Sequence, residues 1–149
     1  MCRALSRGSG ALREPDASPT GTRLLAVKKF GPIAVDVLLV VLFCVIGRRS
    51  HDEAILGGLL HTVWPFGIGL AVGWVLAAVA SRRRADDEPF DGTMLWPTGI
   101  AVWGATLVIG MLLRAASGQG TAPSFILVAG SVLALFLLGW RGAIRAIDI

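Results

Sequence analysis

Charge is scarce in this chain. Only 16% of its 149 residues are Asp, Glu, Lys or Arg, against roughly 25% in an ordinary soluble domain. Cysteine and histidine are scarce too, at two each. Cys2 lies in a polar segment and Cys44 in an apolar run, and no CxxC pair exists. That excludes a disulfide framework and leaves Cys44 as a small apolar packing residue. No HExxH, GxSxG or P-loop string occurs and no paired-carboxylate constellation, so an enzyme is not expected. The net charge of +4 and pI near 10 come without the aromatic–basic interleaving of a nucleic-acid binder, so nucleic acid is not an expected partner. Neither a metal nor an organic cofactor is expected. His51, Asp52 and His61 fit no zinc spacing. The acids Asp86, Asp87, Glu88 and Asp91 sit in a short mixed-charge loop without His, Cys or EF-hand spacing.

What the chain does have is apolar sequence in long blocks. Hydrophobic residues make up 54%, and the mean hydropathy is +0.71. Four blocks are long enough to cross a bilayer: about 30–47, 54–80, 95–113 and 122–140. Even the shortest, at about 1.5 Å per residue, reaches roughly 27 Å. The expected architecture is all-α: an integral membrane four-helix bundle of four transmembrane helices, with the lipid bilayer as its solvent. Residues 1–29, rich in Arg, Gly, Ser and Pro, read as a disordered basic tail, 30–145 as the membrane domain, and 146–149 as a C-terminal tail. Ser50–Glu53 fits a capping box opening the second span. Pro65 inside that span is expected to free the carbonyl of His61 and bend the helix. Pro32, Pro97 and Pro123 fall in first turns, where a missing N–H costs little.

Lys and Arg set the orientation. Eleven lie on one side (Arg3, Arg7, Arg13, Arg23, Lys28, Lys29, Arg82, Arg83, Arg84, Arg141 and Arg145), against Arg48, Arg49 and Arg114 on the other. The excess marks the cytoplasmic face, so both termini are expected there, in the plasma (inner) membrane. Trp64, Trp96 and Trp140 lie near span ends, as in an interfacial aromatic belt.

Three groups of residues stand out. Pro32–Ile46 is apolar except for Asp36, about 9 Å below the cytoplasmic boundary. A carboxylate at the bilayer centre costs about 2.5–3.5 kcal/mol, somewhat less at this depth, which selects for a partner or a wet crevice. Counting depth along the antiparallel spans places Trp74 and Trp103 level with Asp36, and an indole N–H is a donor suited to a carboxylate. Thr106 and Ser131, about a turn deeper, would extend such a network. The alternative is that both tryptophans simply pack or face lipid. Asp36 would serve either as part of an ion path or as an anchor that fixes helix register.

The second group is Arg48, Arg49 and Arg114 with Thr121 and Ser124, near the outer span ends. These suit an anion such as a carboxylate or lipid phosphate; ordinary snorkelling of flanking arginines is the simpler account. The third is Gly69, Gly73 and Ala77, a small-residue stripe at four-residue spacing that lets a helix approach closely, inside the bundle or across a dimer. A weak internal repeat, GPIAVDV at 31–37 against TGIAVWG at 98–104, hints at two duplicated hairpins.

GRRSH (47–51), WPFGIGLAVGW (64–74), GMLLR (110–114), GTAPSF (120–125) and FLLGWR (136–141), in that order and spacing, resemble the small four-span bacterial and archaeal membrane proteins grouped as domain of unknown function 3054. The resemblance covers about Phe30 to Arg145. It implies a fold and a membrane location and carries no chemistry; the basic tail looks like an addition to the common core. The expected role is a structural or accessory membrane protein, with a second copy or another membrane protein as candidate partner. The alternative is a small oligomeric transporter or channel for an ion or small anion, using Asp36 and the outer-rim arginines.

Overall fold

The computed structural model describes residues 19–48, 55–83 and 90–147, with side chains at 30–48, 57–83 and 90–147. Four helices run in sequence: α1 Pro19–Arg48, α2 Ile55–Arg83, α3 Ile100–Ala116 and α4 Pro123–Ile147. Among the described residues there is no strand. Lipid offers backbone N–H and C=O groups no partner, so an apolar chain of this kind closes its hydrogen bonds within each segment. That constraint holds α2 helical through Gly57, Gly58, Gly67, Gly69 and Gly73, although each glycine costs about 1 kcal/mol of intrinsic helix propensity. All four helices contain a stretch long and apolar enough to cross a membrane: Phe30–Arg48, Gly57–Arg83, Leu95–Ala116 (with the turn before α3) and Pro123–Ile147. The chain is an integral membrane four-helix bundle.

The helices form a ring. α1 touches α2 and α4, and α3 touches α2 and α4, with α2 and α3 the most closely packed pair. Each inward stripe steps by three or four residues. In α1 it is Pro32, Asp36, Val40, Phe43 and Cys44; in α2 it is Phe66, Gly69, Leu70, Gly73, Trp74 and Ala77. In α3 it is Val102, Thr106, Gly110 and Met111, and in α4 it is Ala129, Leu133, Leu137 and Arg141. Phe43 and Phe66 meet edge to face, 5.2 Å between centroids, and Gly110 leaves room for the Phe66 ring, which a Cβ there would meet at 2.7 Å. The opposite faces present Leu38, Leu42, Ile68, Val75, Leu112, Leu127 and Leu135 outward, a surface that suits acyl chains.

Several boundaries differ from the sequence expectation. α1 starts at Pro19, so residues 19–29, expected to be disordered, are helical. Leu24, Leu25, Ala26 and Val27 offer no helix breaker, and extending an already nucleated helix is easier than starting one. Pro32 therefore stands inside α1 and not in its first turn. Pro97 lies in a wide turn, Leu95–Gly99, before α3 begins at Ile100. Trp96 is extended there (φ −121°, ψ 128°), as a residue preceding proline prefers, and the Trp96–Pro97 peptide is cis. Pro123 does open its helix, and Pro65 lies within α2. α4 runs past the expected span end at Trp140 to Ile147, so Arg141 is a helical residue. The Ser50–Glu53 capping box lies outside the described residues. Gly118 (φ 71°) and Gly120 (φ 76°) make the α3–α4 turn, in a conformation that side chains disfavour.

Gly69 and Gly73 set the α2–α3 distance. A Cβ on Gly69 would meet the Thr106 carbonyl oxygen at 2.9 Å, and one on Gly73 would meet the Val102 Cα at 2.9 Å. Both obstacles are backbone, so neither can swing aside. Gly69→Leu and Gly73→Leu are each expected to lower the thermal stability of the detergent-solubilised protein, by about 1–3 kcal/mol as overpacking does. Gly104→Ala, which adds a methyl in open space, is expected to leave the melting temperature within a degree or two of the parent, as surface changes do.

Candidate functional site

Asp36 and Arg141 are both completely buried, at 0% exposure, and form an ion pair with 2.7 Å between Arg141 Nη2 and Asp36 Oδ2. The pair is bidentate: Arg141 Nη1 donates to Asp36 Oδ1 at 2.9 Å. Two indoles complete the carboxylate. Trp74 Nε1 donates to Oδ2 at 3.1 Å and Trp140 Nε1 to Oδ1 at 2.9 Å. Each oxygen thus accepts two hydrogen bonds, the full complement of a carboxylate. α1 supplies the acid, α2 one indole, and α4 the base and the second indole, with consecutive residues serving both oxygens.

The guanidinium is equally engaged. Nη1 also donates to the Leu137 carbonyl at 2.7 Å, one turn back in α4. Nε donates to the Gly92 carbonyl at 3.2 Å, in the segment leading to α3. Its carbon lies 4.6 Å from the Trp140 ring centroid and 5.7 Å from that of Trp74, so the same two rings that feed the carboxylate also face the cation with their π systems. Two glycines make the space. A Cβ on Gly99 would press on Arg141 Cδ at 3.0 Å, and one on Gly92 would press on Trp74 Cη2 at 2.8 Å. The assembly is electrically neutral and nearly saturated with hydrogen bonds, the condition under which a charge pair persists away from water.

Of the residues expected around Asp36, the structure brings Trp74 to the carboxylate. Trp103 instead donates to the Gly130 carbonyl at 3.1 Å, tying α3 to α4. Depth alone does not decide azimuth, and Trp103 points toward α4 while Val102 takes the central position. Thr106 and Ser131 bond back to Val102 and Leu127 on their own helices, at 2.7 and 2.8 Å, and do not extend the network. Trp140, expected in an interfacial belt, and Arg141, expected as a cytoplasmic-side charge just past the fourth span, are the residues that sequence reasoning missed. A signal was there: Ala129, Leu133, Leu137 and Arg141 follow a strict four-residue step, so the arginine continues the inward stripe of α4.

The outer-rim residues do not converge on one point. Arg48 Nη1 donates to the Gly58 carbonyl at 2.9 Å and lies 3.4 Å from Thr62 Oγ1. Arg114 donates to Gln119 Oε1 at 3.0 Å and to the Gln119 carbonyl at 3.2 Å, and stacks 4.6 Å from the Phe125 centroid. Arg48, the last residue of α1, thus fastens to the first turn of α2, whose Gly58 carbonyl also accepts from Thr62 Oγ1 at 3.0 Å, and Arg114 serves carbonyls of the α3–α4 turn. Among the described residues neither bonds Thr121 or Ser124; Arg49, His51 and Asp52 lie outside them. Cys44 is buried, its thiol 3.9 Å from the Thr62 carbonyl. Among the described residues no group of three or more His, Cys, Asp and Glu side chains is placed to hold a metal ion.

The buried pair generates a prediction. Arg141→Ala and Asp36→Ala each strand an opposite charge, and each is expected to cost about 3–5 kcal/mol. Asp36→Ala combined with Arg141→Ala is expected to cost less than the sum of these two single changes. Melting of all variants in one detergent gives the double-mutant cycle; strict additivity would show that the pair is not coupled.

The model of a family described as protein of unknown function (DUF3054) matches residues 33–144. That range contains Asp36, Trp74, Trp140 and Arg141. No curated protein and no solved structure matches the chain. With its helical membrane architecture and a match over most of its length, the chain belongs to the DUF3054 family.

Proposed function

We propose that this protein is a non-catalytic structural or accessory component of the plasma membrane, with both termini in the cytoplasm, and that its buried Asp36–Arg141 pair is a lock that holds α1 against α4. The saturation of the carboxylate carries this reading. Four donors from α2 and α4 fill its four acceptor positions, so no acceptor site is left for a travelling proton or a cation. A transport acid needs the opposite, a carboxylate with free valence toward a path. The outer-rim arginines are likewise turned to backbone carbonyls. The protein then acts through lateral contacts with a second copy or another membrane protein.

The orientation rests on the charge count. Taking the buried Arg141 out of it leaves ten Lys and Arg on the terminal side against three, still a strong positive-inside bias. Reporter fusions at the two ends are expected to be active only as cytoplasmic markers.

Proteoliposomes holding the purified protein are expected to show no proton, cation or anion flux above empty vesicles under an imposed gradient. A flux that disappears in Asp36→Asn or Arg114→Ala would replace this reading with the small transporter or channel.

A further inference from the structure

The ion pair lies at the end of the bundle that carries both chain termini, and at that end the segment Phe90–Met94 folds over it. Gly92 is the centre of the contact. Its carbonyl accepts from Arg141 Nε at 3.2 Å. Its Cα faces the Trp74 ring and Pro32 so closely that a Cβ would come within 2.8 Å of one and 3.1 Å of the other. Phe90 meets the Trp74 ring edge-on at 6.1 Å between centroids.

The segment is also shaped from within. Asp91 Oδ1 accepts from Thr93 N at 2.8 Å and from Thr93 Oγ1 at 2.7 Å. The Asp91 carbonyl lies 3.4 Å from Thr98 Oγ1. These bonds fold the turn on itself and fasten it to the residues just before α3. Beneath it, Asp36 and Arg141 have no exposed surface, while Phe90 is 41% exposed. One face of the segment therefore meets the aqueous or interfacial phase, and the other covers a buried charge pair.

We propose that Phe90–Met94 is a lid that seals the Asp36–Arg141 pair from water, and that displacing it hydrates the pair and loosens the grip of α1 on α4. The lid and the pair share a side chain: Arg141 spends Nε on the lid and its terminal nitrogens on the acid. Moving the lid strands one donor of a buried cation and opens a path for water to the rest. An event on the α2–α3 connection, such as a partner binding there, thereby reaches the contact between the first and last helices.

Indole hydrogen exchange tests this in the full chain in nanodiscs, because it reads water access and not flux. In the native protein the Nε1 protons of Trp74 and Trp140 are expected to exchange at least tenfold more slowly than that of Trp96, a residue 69% exposed. Gly92→Val, which forces the lid off Trp74 and Pro32, is expected to speed Trp74 exchange at least tenfold with helix content unchanged; Gly104→Ala is expected to leave it unaltered. A native Trp74 proton that exchanges as fast as that of Trp96 would overturn the lid without any variant. So would a folded Gly92→Val protein with native Trp74 exchange.

Discussion

Hydrocarbon solvates neither charge nor an unpaired backbone dipole, and the architecture of this protein follows from meeting that condition around one carboxylate. Asp36 stands on the inward stripe of α1, between Pro32 and Val40, where no water reaches it. Left alone there it would be expelled or neutralised. It is instead matched by a guanidinium of the same planar, two-pronged geometry and by two indole donors. Lysine could not substitute at position 141 without loss, since a point charge provides neither the fork to both oxygens nor the planar face that lies against Trp140.

Once that pair is formed, much else is constrained. Arg141 must lie level with Asp36, which sets how far α4 slides against α1. Trp74 must reach the same carboxylate, which sets the rotation of α2. α2 in turn bears directly on α3 through Gly69 and Gly73, whose missing side chains let two backbones come together. The α2–α3 pair is the most closely packed of the helix contacts, and the polar cluster supplies direction. Apolar packing in a membrane is weakly directional, because lipid tails are as apolar as leucine. A bidentate ion pair with two further donors has one geometry, and it specifies register where packing alone would tolerate sliding.

The two ends of the bundle use arginine differently. At the end with the termini, Arg141 is neutralised and carries no net charge outward. At the other end, Arg48 of α1 reaches the Gly58 carbonyl in the first turn of α2, while Arg114 bonds the Gln119 carbonyl in the α3–α4 turn and covers the Phe125 ring. The first arrangement buries a charge pair between helices and the second fastens residues beside the connections. The same residue type thus sits fully buried in one place and beside a connection in the other, and composition does not distinguish them.

Sequence by itself determined the solvent, the number of helices and their alternating direction, because those depend on the length of apolar runs and on where arginines flank them. It determined that Asp36 needed a partner, since a lone carboxylate in an apolar run is costly wherever the helix points. It also placed the Gly69–Gly73–Ala77 stripe on a contact face, because small residues four apart share one side of a helix. Which partner Asp36 takes was decided only in three dimensions. Trp74 and Trp103 are equally deep, yet one faces the acid and the other faces Gly130, and the difference is an azimuth set by packing. Arg141 follows the last apolar run and looks like a solvated flank; only the continuation of α4 to Ile147 and the turn at Gly92 and Gly99 bring it inside. Depth is a property of one helix and can be counted along it, whereas enclosure is a property of four helices and a loop together.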